Sequence, residues 1–118
     1  MVEAQLLLVD DEPALLDLLK RYLERLGYAV EACSQAEVAL ARFASNPNGY
    51  ALVVTDLTLD GISGEEMIER MRVIRPGLRA ILSSGYPYHP RSADTVFLQK
   101  PYVPKILAGL IAKMLKKT

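Results

Sequence analysis

The chain has one cysteine, one histidine and no surplus of charge of either sign. A lone Cys33 cannot close an internal disulfide, so the fold carries no covalent staple and suits a reducing, cytoplasmic setting. Cys33 has no partner ligands for a metal and reads as packing, while His89, in a proline-rich loop, reads as a surface residue. The 14 Lys and Arg residues cancel 14 Asp and Glu residues. No overall field therefore draws the molecule to nucleic acid or to an anionic membrane. No apolar run approaches the roughly 20 residues of a membrane span, so membrane insertion is not expected. Met1-Val2-Glu3-Ala4 also lacks the basic and apolar pattern of a signal peptide. Internal repeats, low-complexity tracts and interdomain linkers are missing as well. What is left is a chain of 118 residues, 51% hydrophobic and 24% charged, expected to form a single domain over residues 1–118. Function has to come from local groupings of charge.

The apolar residues fall into short runs separated by helical patterns. Gln5 to Val9 and Leu52 to Thr55 are continuous runs, as strands covered on both faces require. Tyr28 to Cys33 alternates, and Ala80 to Leu82 and Val96 to Leu98 are shorter. Between them, Leu15, Leu16, Leu19 and Leu23 recur at helical spacing after Pro13, with Gly27 as a stop. Ser34-Gln35-Ala36-Glu37 has capping-box spacing before a helix to about Ala44. Further helices are expected over Gly64 to Arg75 and from Val103 to Lys116, the last ending on the basic Lys113, Lys116 and Lys117. Pro87 and Pro90 oppose a full helix between the last two strands. Five strands interleaved with helices point to an α/β fold, a doubly wound five-stranded parallel sheet with helices on both faces.

Ligands of such sheets gather at the carboxyl ends of the strands. Here the strands end on Asp10-Asp11, on Asp56, on Ser83-Ser84 and on Gln99-Lys100. Two carboxylates about 4 Å apart, at an effective dielectric near 20, repel by on the order of 4 kcal/mol, so the cluster needs a proton or a cation. Magnesium suits it, because that ion takes a few carboxylates, keeps several waters and bridges to phosphate oxygens. Lys100 adds a fixed positive charge and Ser84 a hydroxyl, a combination suited to a phosphoryl group, and a free carboxylate can attack phosphorus. Each residue also has a plainer reading: Asp10-Asp11 as a helix start, Asp56 as a turn residue, Lys100 as a surface lysine, Phe97 as core.

Val9-Asp10-Asp11-Glu12-Pro13, Asp56 with Gly64 eight residues on, Ser84-Gly85 and Lys100-Pro101 occur in the order seen in response-regulator receiver domains of two-component signalling. The whole chain resembles that family, and Phe97 to Tyr102 resembles receivers of hybrid sensor histidine kinases. The resemblance implies a flavodoxin-like sheet of order 2-1-3-4-5. It implies that Asp56 accepts a phosphoryl group from a histidine kinase or a histidine phosphotransfer protein. Asp10, Asp11, Asp56 and the backbone carbonyl of Thr58 would hold Mg2+, Ser84 and Lys100 would contact the phosphoryl oxygens, and Phe97 would follow the movement of Ser84. It also implies a cis peptide at Lys100-Pro101.

Two departures stand out. Asp60 occupies the place where the family usually has proline, and the segment from Ser84 to Lys100 is short, so the fourth of the family's five helices is expected to be shortened or missing. Tyr86, Tyr88 and Tyr102 are expected to cover the sheet where that helix would have packed. Other readings of the same residues are a magnesium-dependent phosphohydrolase with Asp56 as nucleophile, a receiver-like interaction module, and a flavin-binding protein of the same architecture. The chain is expected to be either a standalone receiver or one domain of a longer protein.

Overall fold

Why the apolar runs are continuous is visible in where their side chains go. In the computed structural model, which describes residues 5–116, strands β1 (Gln5–Val9), β3 (Leu52–Asp56) and β4 (Ala80–Ser84) lie inside the sheet. β2 (Ala29–Cys33) and β5 (Thr95–Gln99) form its edges, and all pairings are parallel in the order β2-β1-β3-β4-β5. Met1 to Ala4 and Lys117, which entered the sequence reading, lie outside the described residues. Helices α2 (Ala36–Ser45) and α3 (Gly64–Ile74) cover one face, packing Phe43 and Met67 onto Leu7, Val53 and Leu82. Helices α1 (Pro13–Arg25) and α4 (Pro104–Lys116) cover the other, packing Leu23 and Leu107 onto Leu6, Leu8 and Ile81. Successive residues of one strand thus enter two different cores, each fully buried leucine contributing about 1.5–3 kcal/mol.

Helix starts show where the pattern misleads. Ser34-Gln35-Ala36-Glu37 and Ser63-Gly64-Glu65-Glu66 share the same spacing. Only the second is a cap: Ser63 Oγ accepts from the Glu66 backbone N–H at 3.1 Å, whereas α2 starts from Gln35 with no side-chain cap. Pro13 opens α1 as expected, and Asp10 Oδ1 accepts from the Glu12 backbone N–H at 2.9 Å, bending the chain from β1 into the helix.

Among the described residues no helix forms between β4 and β5, so the expected reduction of the fourth helix is a complete loss and the final helix is α4. The three tyrosines behave differently from one another. Tyr88 packs on the α2–α3 core and against Phe97, and Tyr102 packs on the α1–α4 core, but Tyr86 faces solvent and covers nothing. Phe97 is half-buried, not core: with that helix gone, the Tyr88 ring stands beside it, the rings 6.5 Å apart.

Candidate functional site

β1 and β3 are neighbours at the point where the strand order reverses, and both end on aspartate. Carboxylate oxygens of Asp10, Asp11 and Asp56 lie within 4.8 Å of one another. β5, two strands away from β3, delivers Lys100 from the far side: its Nζ is 3.1 Å from Asp10 Oδ2 and 3.3 Å from Asp56 Oδ1. Lys100-Pro101 is cis. One ammonium among three carboxylates leaves a negative excess in a partly buried place, and that excess is the property of the site that calls for a cation.

The electrostatics follow from burial and crowding. Burial raises the Asp56 carboxyl above its usual value; Lys100 opposes this, and Asp10 and Asp11 reinforce it. For Lys100, burial alone would lower the ammonium, but the contacts with Asp10 and Asp56 outweigh it and the pKa is raised. The donor set, all oxygen and mostly carboxylate, fits a small hard divalent ion, which would relieve the repulsion that Lys100 leaves.

Ser84 sits at the end of β4, buried, and its Oγ accepts from the Tyr86 backbone N–H at 3.1 Å. A hydroxyl that accepts one bond still has a hydrogen to donate. Its own carbonyl accepts from the Lys100 backbone N–H at 2.8 Å, so the serine and the lysine are fixed to each other through the backbone. Thr58, two residues past Asp56, is exposed. Phe97 pairs with Leu82 in the sheet and so stands beside β4 on the α2–α3 face.

Gly64 gains a physical reason. A Cβ there would come within 2.1 Å of the Asp56 carbonyl oxygen, and the Gly64 N–H donates to the Leu57 carbonyl at 2.7 Å. The glycine lets the start of α3 close directly onto the end of β3. Two further residues neighbour the site, and of these only Glu65 carried no sequence signal. Tyr102 lines the crevice shared by Asp10, Asp56 and Ser83, and burial raises its phenol pKa. Glu65, in the first turn of α3, is buried although an acidic residue there is normally read as a solvent-facing partner of the helix dipole.

The family model described as the response regulator receiver domain matches residues 6–106. The acid tolerance regulatory protein ActR of Rhizobium meliloti is 33% identical over 94% of this chain and 60% of its own length. The receiver domain of the hybrid histidine kinase CckA superposes with a TM-score of 0.86 at 28% identity, covering 95% of this chain and 99% of that one. Protein TrrA from Thermotoga maritima, a response regulator solved in complex with Mg2+ and BeF, superposes with a TM-score of 0.81 at 29% identity, covering 95% and 99%. The chain spans 60% or less of the length of the first curated relatives it matches.

Proposed function

The chain belongs to the response regulator receiver domain family, and from that premise we propose that residues 1–118 act as one phosphoacceptor unit with Asp56 as the acceptor. The observation that carries the reading is the meeting of Asp10, Asp11 and Asp56 with Lys100 at the strand ends. Asp10, Asp11, Asp56 and the Thr58 backbone carbonyl would hold Mg2+. When bound, that ion neutralises charge on the incoming phosphoryl oxygens and on the attacking carboxylate.

A carboxylate oxygen of Asp56 attacks phosphorus of a phosphohistidine; the O–P bond forms, the N–P bond breaks, and the leaving imidazole takes up a proton. Lys100, already 3.3 Å from Asp56 Oδ1, moves from carboxylate to phosphoryl oxygen as negative charge accumulates there. Ser84 donates its hydroxyl hydrogen to another phosphoryl oxygen, and Phe97 follows into the space that this movement leaves. The partner is a histidine kinase or a histidine phosphotransfer protein, and the setting is the cytoplasm. The unit is a signalling domain whose only chemistry is its own phosphorylation and dephosphorylation. No helix of the described residues is long and apolar enough to cross a membrane.

Incubation with radiolabelled acetyl phosphate and magnesium is expected to give a base-labile label on the wild type and none on Asp56→Asn. Label retained in Asp56→Asn, or label formed equally well in excess chelator, would overturn the assignment.

A further inference from the structure

The connection between β4 and β5, residues 85–94, has no helix to hold it. A chain segment without its own ladder of hydrogen bonds is held by other groups. Besides the Tyr88 ring beside Phe97 and the Asp94 carbonyl, which accepts from the Ala80 N–H at 3.1 Å, two side-chain hydrogen-bond ties are visible. At the start, the Tyr86 backbone N–H donates to Ser84 Oγ. Near the end, the Arg91 backbone N–H donates to Glu65 Oε2 at 3.2 Å, and the Arg91 guanidinium lies 3.6 Å from the same oxygen and 3.4 Å from Glu69 Oε2.

The two glutamates differ. Glu69 is 45% exposed, so its pair with Arg91 is a screened surface contact of little worth. The Glu65 side chain is 3% exposed and its Oε1 has no partner among the described residues. A buried carboxylate with an unused oxygen is a costly feature. It is not the cap of α3, which is Ser63. Its visible role is to reach across to the connection.

The geometry points to Glu65 as a latch that stands in for the missing helix: by accepting from the Arg91 amide, it fastens the connection to the first turn of α3. That turn is itself tied to the acceptor loop through Gly64 and Leu57. The latch has a part in signalling, which rests on the phosphoacceptor reading above. When Ser84 reorients toward a loaded Asp56, the tie to Tyr86 is given up and Glu65 is the side-chain acceptor that still holds the connection to α3. The connection then stays attached to α3 at Arg91 while its Tyr86 end is released.

Amide hydrogen exchange by NMR on the whole chain tests this, with Glu65→Leu, Arg91→Ala and Glu69→Gln, each with and without magnesium and beryllofluoride. Glu65→Leu keeps bulk but deletes the acceptor. It is expected to speed exchange of the Arg91 amide at least about tenfold, while global stability in urea holds or rises because the orphaned oxygen is gone. Arg91→Ala keeps the backbone donor and is expected to have a smaller effect at residue 91, and Glu69→Gln none. With beryllofluoride, Tyr86 is expected to lose protection in the wild type while Arg91 keeps it; in Glu65→Leu both lose it. Unchanged protection of Arg91 in Glu65→Leu, or an Arg91 amide already unprotected in the wild type, overturns the latch. Amides of Leu57 and Thr58 report the phosphoacceptor reading separately. If beryllofluoride leaves them unmoved, that reading fails and the ligand-free exchange of Glu65→Leu alone decides the latch. Should Glu65→Leu not fold, Arg91→Pro deletes the same donor from the other side and is read at Ser92.

Discussion

The strand-end cluster and the β4–β5 connection are joined by β4, whose last residue touches both, and they are built in opposite ways. At the cluster each functional group stands at the end of a buried strand, and its position is set by ladder register and by a backbone bond such as Lys100 N–H to Ser84 carbonyl. At the connection, position depends on side chains: Tyr88 over Phe97, Glu65 on Arg91. The first arrangement is stiff and suits chemistry that needs atoms held within a fraction of an ångström. The second is held by few contacts and partly orphaned polar groups, as a region that has to move requires. A receiver needs both, and the loss of one helix has placed the boundary between them at Ser84.

Substitution at Gly64 is expected to have the largest effect, since it strikes the stiff region at its closest backbone approach. Gly64→Val places a Cβ on the Asp56 carbonyl oxygen, a backbone atom that cannot swing aside. Destabilisation of about 3 kcal/mol or more is expected in urea unfolding, with loss of the acceptor geometry. A near-neutral Gly64→Val would mean that the acceptor loop is as yielding as the connection, and the contrast would collapse.

A smaller effect concerns the charge stored at the cluster. Because burial raises the Asp56 pKa above its ordinary 3.8, the folded state holds that proton longer than the unfolded chain does. Stability from this group is therefore greatest at acid pH and declines as pH rises from the ordinary value through the raised one. At neutral pH in chelator, Asp56→Asn is expected to be more stable than the wild type. The gap should close below pH 3.8 and, on the proposed function, also shrink with magnesium, because Asp56→Asn removes a carboxylate that would hold it. Thermal unfolding across pH with and without the ion checks this; a wild type more stable than Asp56→Asn in chelator at pH 7 would show that Lys100 overcompensates the cluster.

This division also explains what the sequence made legible. Asp10, Asp11, Asp56 and Lys100 were readable because each follows an apolar run, and the rule that strand ends converge does the rest. The loss of the helix was readable from Pro87 and Pro90, since proline acts locally. What replaced it was not. Glu65 looks like any first-turn glutamate, and the amide it accepts from lies in a segment 26 residues away in sequence. Ser34 and Ser63 show the same limit, since two identical spacings give one cap. An aromatic on a short apolar strand normally packs, and the loss of the covering helix leaves Phe97 half-buried instead.

Phe97 supplies the smallest and sharpest test. It is paired with Leu82 across β4 and β5, so both side chains point to the same face of the sheet from adjacent strands. Leu82 is fully buried, and its truncation to alanine is expected to cost about 2–5 kcal/mol. Phe97, though larger, is only half-buried beside the tilted Tyr88 ring, and Phe97→Ala is expected to cost about 1 kcal/mol or less in the same urea assay. The order runs against side-chain size, so it reports covering and not hydrophobicity. Equal costs would mean that the connection packs Phe97 as firmly as a helix would, leaving the ring no room to follow Ser84. With unequal costs, magnesium and beryllofluoride should narrow the difference, because a ring that moves inward on loading gains the burial it lacks in the ligand-free state.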